Sequence, residues 1–117
     1  MEHPPRPLAG LARELFPEHT LLTLHGEIDI ASAPDLRTRL STALDAAGPR
    51  AVIDLSGVTF CDVSGLALLV WAHRRAAARG TDLVLAAPRP QLARLLAVTG
   101  LERTFTVRRL VPCPAAA

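Results

Sequence analysis

Apolar residues change their spacing several times along the chain, and each change marks an element. Ala12 to Phe16 and Thr20 to His25 are short apolar-rich runs on either side of Pro17, Glu18 and His19. That pattern predicts a hairpin, although Leu11 to Phe16 also fits a helical turn. Gly26 is expected to break the second strand ahead of Glu27, Ile28, Asp29 and Ile30. A helix start follows: Ser32 as N-cap, Pro34 in the first turn, and Asp35 to complement the dipole. Leu36, Leu40, Ala43, Leu44 and Ala47 recur every three or four residues, which is one apolar helix face. Gly48 and Pro49 stop it.

The second half repeats this alternation. Ala51 to Leu55 is nearly continuous in its apolar character, as in a strand covered on both faces, and a turn is expected at Ser56 and Gly57. Leu66 to Arg79 predicts the longest helix, with Leu66, Leu69, Val70, His73 and Ala77 on one side and Gly80 at its end. Asp82 to Ala87 predicts another buried strand. Pro90 begins a helix carrying Leu92, Leu95 and Leu96 up to Gly100, and Thr104 to Arg108 alternates as an edge strand does. Strands alternating with single helices imply crossover units. The expected fold is therefore α/β, a mostly parallel sheet opened by one antiparallel hairpin.

Length and composition narrow this to a single domain. The chain has 117 residues, 50% of them hydrophobic and 21% charged, enough for one core and too apolar for general disorder. Residues 9–110 are the expected domain, between tails at 1–8 and 111–117 that are rich in proline or alanine. The formal charge is only +2, all of the basic side chains are arginine, and only Phe16, Phe60, Trp71 and Phe105 could stack on bases, so nucleic-acid binding is not expected. The longest apolar run, Leu66 to Ala72, is far below the ~20 residues of a spanning helix, and the first residues carry no apolar export segment. Neither a membrane association nor export is expected, and the expected location is the cytoplasm. Cys61 and Cys113 do not form a disulfide framework, and Cys61 reads as a small reduced core residue.

Enzyme machinery is hard to assemble from these residues. His3, His19, His25 and His73 are scattered, with no metal-gripping spacing, and His73 reads as a core or boundary histidine. Without lysine there is no phosphate loop, and no nucleophile elbow occurs. No catalytic residue, metal or cofactor is expected. Ser64 is different: it is expected just before the long helix, where its hydroxyl would sit among unpaired backbone N–H groups. It reads either as an N-cap worth about 1 kcal/mol or as an anion site at a helix start, where a phosphate on Ser64 could be accommodated. Asp62 has no evident partner along the sequence and reads as a turn-stabilising residue or as a contact. The acid-bearing loop at Glu27 and Asp29 is a candidate to approach it.

Two stretches carry a family resemblance. Leu24-His25-Gly26-Glu27-Ile28-Asp29-Ile30 and Asp54-Leu55-Ser56-Gly57-Val58-Thr59-Phe60-Cys61-Asp62-Val63-Ser64-Gly65-Leu66 resemble the signatures of the STAS domain, specifically of bacterial anti-sigma-factor antagonists. The likeness runs from about Leu11 to Leu110. It implies a small mixed sheet of four to five strands with helices chiefly on one side. It also implies a partner, an anti-sigma factor with serine-kinase activity, that phosphorylates Ser64, and a phosphatase that reverses this. Asp29, Asp62, Val63, Ser64 and Gly65 are then the expected partner-binding residues. Val63 departs from the family pattern, which has a hydroxyl residue there; it removes a competing acceptor and adds an apolar contact. An unphosphorylated STAS scaffold in a larger regulatory or transport assembly is the alternative. Self-association beyond a monomer or weak homodimer is not required.

Overall fold

The computed structural model describes residues 9–111. The segments expected as tails, apart from Val111, lie outside the described residues, and so does Cys113. Five strands form one sheet in the order β1-β2-β3-β4-β5: β1 Gly10–Leu15, β2 Thr20–Ile28, β3 Arg50–Cys61, β4 Asp82–Ala86 and β5 Thr106–Arg108. Only β1 and β2 pair antiparallel; the other three pairings are parallel. Helices α1 Ala33–Asp45, α2 Val63–Ala78 and α3 Pro90–Val98 connect the parallel strands, and a 3-10 turn at Leu101–Arg103 precedes β5. Each crossover steps the same way along the sheet. Because such crossovers are right-handed, all three helices fall on one face.

That face is the core. Leu22, Leu24 and Ile28 of β2, Ile53 and Leu55 of β3, and Leu85 of β4 alternate inward with period two. They meet Leu36, Leu40 and Leu44 of α1, Leu69 and Ala72 of α2, and Leu92 and Leu96 of α3. Completely burying one such leucine contributes about 1.5–3 kcal/mol relative to leaving it exposed, so this layer is the dominant stabilising term.

The hairpin is as expected: residues 10–15 form its first strand, which removes the alternative of a helical turn, and Phe16 N–H donates to the carbonyl of His19 at 2.9 Å to close it. Several expectations need correction. Gly26 does not end β2. It takes φ +88° at a register shift against β3, and the strand runs on to Ile28. Nor does the chain turn at Ser56 and Gly57. β3 continues for 12 residues, because β2 supplies a parallel partner as far as Ile28 opposite Cys61. The buried face of α2 is Gly65, Leu66, Leu68, Leu69, Ala72 and Ala76, rotated from the expected one, and Ala77 is exposed. His73 lies at the boundary, edge-on to Phe105 with ring centroids 5.3 Å apart. The final strand begins at Thr106 and not at Thr104, because the N–H groups of Thr104 and Phe105 still donate to the Leu101 carbonyl, at 2.9 and 3.1 Å, at the end of the 3-10 turn.

Candidate functional site

Parallel strands deliver their carboxyl ends, and the starts of the helices that follow, to the same edge of the sheet. Here β2 and β3 end together, with Ile28 opposite Cys61, and Asp62 N–H donates to the Ile28 carbonyl at 3.2 Å. This brings Asp29 and Asp62 to adjacent strand ends, as the sequence suggested. Each aspartate is turned onto its own following segment. Asp29 Oδ1 accepts from Ala31 and Ser32 N–H, each at 3.0 Å. Asp62 Oδ1 accepts from Ser64 N–H at 2.8 Å and Gly65 N–H at 3.3 Å.

The N-cap of α2 is therefore Asp62, and Ser64 stands inside the first turn, not before the helix. The helix starts at Val63, not at Leu66, because a carboxylate in an extended conformation already satisfies the first amides. The Ser64 hydroxyl consequently does no capping and has no hydrogen-bond partner among the described residues. Ser32 is also corrected. It occupies the N-cap position of α1 but makes no side-chain cap. Its Oγ instead accepts from Asp29 N–H at 3.0 Å and donates to the Glu27 carbonyl at 2.8 Å, closing the loop onto itself.

A groove between α1 and α2 begins beside Ser64. Ile30, Ala33, Pro34 and Arg37 line it from one side, and Ser64, Ala67, Leu68 and Trp71 from the other. Both sets follow the i, i+3, i+4, i+7 spacing of one helix face, and the cavity measures about 430 Å³. Ser64 is half-buried on its wall. Ile30 on its wall and Val63, the residue before Ser64, are each 79% exposed, two large apolar side chains that the solvent does not favour. At the far end the Arg37 guanidinium lies 4.8 Å over the Trp71 ring. Arg75 approaches the same ring at 5.9 Å while hydrogen-bonding Asp45 at 2.8 to 3.1 Å.

Two contacts hold the Ser64 turn in place. Gly65 is buried, and a Cβ there would run into Cys61 Sγ and come within 3.0 Å of the Ile28 carbonyl oxygen and Cγ2. Only a glycine lets α2 approach β2 this closely. Gln91 of α3 supplies the second contact: its Oε1 accepts from Cys61 N–H at 3.1 Å and its Nε2 donates to the Cys61 carbonyl at 2.8 Å. β4 has already ended its pairing at Asp54 opposite Ala86, so this amide stands in for a neighbouring peptide at the end of β3. Burial, and secondarily the charge of Asp62, push the Cys61 thiol up to about 12, so it stays protonated at neutral pH. It is a packing residue, as the sequence suggested.

Arg37, Trp71, Gln91 and Ile30 were not singled out from the sequence. The repeated i, i+3, i+4, i+7 spacing after Ile30 and after Ser64 was the available signal for the groove. Nothing local signals Gln91, whose partner is 30 positions away. Among the described residues no group of three or more His, Cys, Asp or Glu could hold a metal ion, and no helix is long and apolar enough to cross a membrane.

The family described as "Mlab, STAS domain" matches residues 11–112. The anti-sigma-B factor antagonist of Listeria monocytogenes is 30% identical over 98 residues, 84% of this chain and 86% of that protein. The crystal structure of an anti-sigma factor antagonist from Mycobacterium paratuberculosis superposes with a TM-score of 0.80 at 26% identity, covering 88% of this chain and 87% of the other. The Bacillus cell fate determinant SpoIIAA in its phosphorylated form gives 0.64 at 22% identity, covering 84% and 90%, a likeness of fold. STAS domains are regulatory modules without catalytic machinery. On this evidence the chain belongs to the STAS-domain family, as a homologue of the bacterial anti-sigma-factor antagonists.

Proposed function

We propose that this protein binds an anti-sigma factor with serine-kinase activity while Ser64 is unmodified, so freeing a sigma factor, and that phosphorylation of Ser64 ends the binding. The observation that carries the reading is the Ser64 hydroxyl: it has no hydrogen-bond partner among the described residues and stands on the wall of an open groove. The likeness to named anti-sigma-factor antagonists supports the partner class. A phosphorylated form of the SpoIIAA relative supports the modification.

The chemistry asks nothing catalytic of this chain. Ser64 Oγ attacks the γ-phosphorus of a nucleoside triphosphate held by the kinase, the β–γ bridging bond breaks, and the diphosphate leaves. The hydroxyl proton passes to a base of the kinase. The product adds roughly −1.5 to −2 charges beside the carboxylate of Asp62, with Asp29 at the adjacent strand end. Docking would bring Val63, Ile30 and the Ser64 turn against the partner, with Gly65 behind them as support. Burying the dianion there adds desolvation and like-charge repulsion, and a penalty of about 2.8 kcal/mol already weakens binding a hundredfold. A phosphatase restores the binding form.

The test is an incubation with an anti-sigma factor and ATP, followed by intact mass and by binding measurements. One added phosphate is expected on wild type and none on Ser64→Ala. Ser64→Ala should bind like unmodified wild type, and Ser64→Asp about a hundredfold more weakly. Equal affinity of Ser64→Asp and wild type overturns the switch. Absence of any phosphate favours the scaffold alternative.

A further inference from the structure

We propose that Arg37 holds the phosphate on Ser64, its guanidinium leaving the face of Trp71 to pair with the new charge inside the groove. The inference rests on the reading of Ser64 as the modified residue and adds the side chain that receives the modification. The helix start is the first place to look for such a receiver, and it is already taken. Asp62 Oδ1 occupies the N–H groups of Ser64 and Gly65, and Leu66 N–H donates to the Asp62 carbonyl at 3.0 Å. A dianion on Ser64 meets a carboxylate in place and finds those amides engaged, so its charge calls for a cation from elsewhere.

One cation lines the same groove. Arg37 is the charged side chain on its walls, and among the described residues it is paired with no carboxylate. Its neighbours differ: Arg39 pairs with Asp35 at 3.4 Å, while Arg75 and Arg79 share Asp45 at 2.8 and 3.4 Å. The contact that Arg37 does make, over Trp71, is weak in an open site beside a charge-assisted, bidentate guanidinium–phosphate pair. Helical side chains lean toward the start of their own helix, and α1 and α2 start at the same edge of the sheet. Leaving the ring therefore carries the guanidinium toward Ser64. Arg75, tied to Asp45, stays over the ring. Phosphorylation then changes the shape and charge of the groove as well as adding a charge at its mouth.

The experiment uses the full chain with phosphoserine placed at position 64 during translation, so that no kinase is needed. Phosphorus NMR gives the second pKa of the phosphate, and emission reports Trp71, the only tryptophan of the chain. Arg37 lowers that pKa in wild type by about half a unit to one unit relative to Arg37→Gln, less than in a buried pair because the groove is open. Asp62, whose carboxylate accepts from Ser64 N–H, and Asp29 at the adjacent strand end act alike in both proteins and cancel in the difference. Arg37→Lys is expected to restore part of the lowering, since it keeps charge without the bidentate fork. Phosphorylation is expected to shift Trp71 emission in wild type and leave it unchanged in Arg37→Gln. The same phosphate pKa in wild type and Arg37→Gln overturns the proposal, because the backbone then holds the phosphate alone. That result leaves the partner switch intact, whereas a partner that binds the phosphoserine protein as tightly as the unmodified one defeats the switch without touching the Arg37 contact.

Discussion

Two junctions leave the same edge of the sheet, β2 into α1 and β3 into α2, and they treat a serine in opposite ways. After β2 a loop of four residues intervenes, and Ser32 is consumed by it, accepting from Asp29 N–H and donating to the Glu27 carbonyl. After β3 only Asp62 separates strand from helix, and this aspartate caps the helix alone. The abrupt junction leaves its serine with no structural duty. A hydroxyl available for modification thus arises where capping has been delegated to the acid two residues earlier. On the proposed reading, a modification there changes binding without unfolding the turn beneath it.

The largest expected effect tests how abrupt the second junction is. Gly65→Ala places a methyl group against Cys61 Sγ and the Ile28 carbonyl. The overpacking should cost about 1–3 kcal/mol in spite of the better helix propensity of alanine. Urea denaturation measures this, and an unchanged midpoint would show that α2 can move off β2 freely. The next effect bears on the comparison itself. Ser32→Ala should destabilise by about 1 kcal/mol through two lost hydrogen bonds, while Ser64→Ala should stay within about 0.5 kcal/mol of wild type. Equal losses at both serines would mean that the Ser64 hydroxyl has a structural duty after all.

The smallest effect concerns the opposite ends of α1 and α2, tied by Asp45 to Arg75 and Arg79. Hydrogen bonds from Arg75, with the charges of Arg75 and Arg79 behind them, hold the Asp45 carboxyl below its usual value against an opposing desolvation. A carboxyl lowered in the folded state stabilises above its unfolded value and loses that contribution as pH falls through the folded value. Asp45→Asn should therefore unfold slightly earlier than wild type at pH 7. The gap should close once the pH is well below about 3.9. Thermal melts across that range check it.

Much of this architecture is readable from residue spacing, and the exceptions have physical causes. The leucines of α1 recur on one face because a single stripe meets the sheet, so Leu36, Leu40 and Leu44 predict their own burial. Ser56 and Gly57 misled because turn-forming residues are also tolerated in a strand whose neighbour on one side has ended. There Asp54 Oδ1 accepts from Ser56 N–H at 2.9 Å, a local bond that leaves the pairing with β2 undisturbed. The cap of α2 was misplaced by two residues because aspartate and serine are equally good N-caps. The choice between them is made by where Ile28 ends its pairing with β3, a long-range fact. The Asp29 and Asp62 juxtaposition was legible because each lies in one of the two family-like stretches, just past the end of its strand; the Arg37 and Trp71 contact, formed between two helices, was not.

The Gln91 amide has a wider implication. A packed leucine tolerates small sliding, but hydrogen bonds to both the N–H and the carbonyl of one residue, Cys61, fix direction as well as distance. Through those two bonds the third helix is anchored to the last residue of β3, one position before the aspartate that opens the second helix.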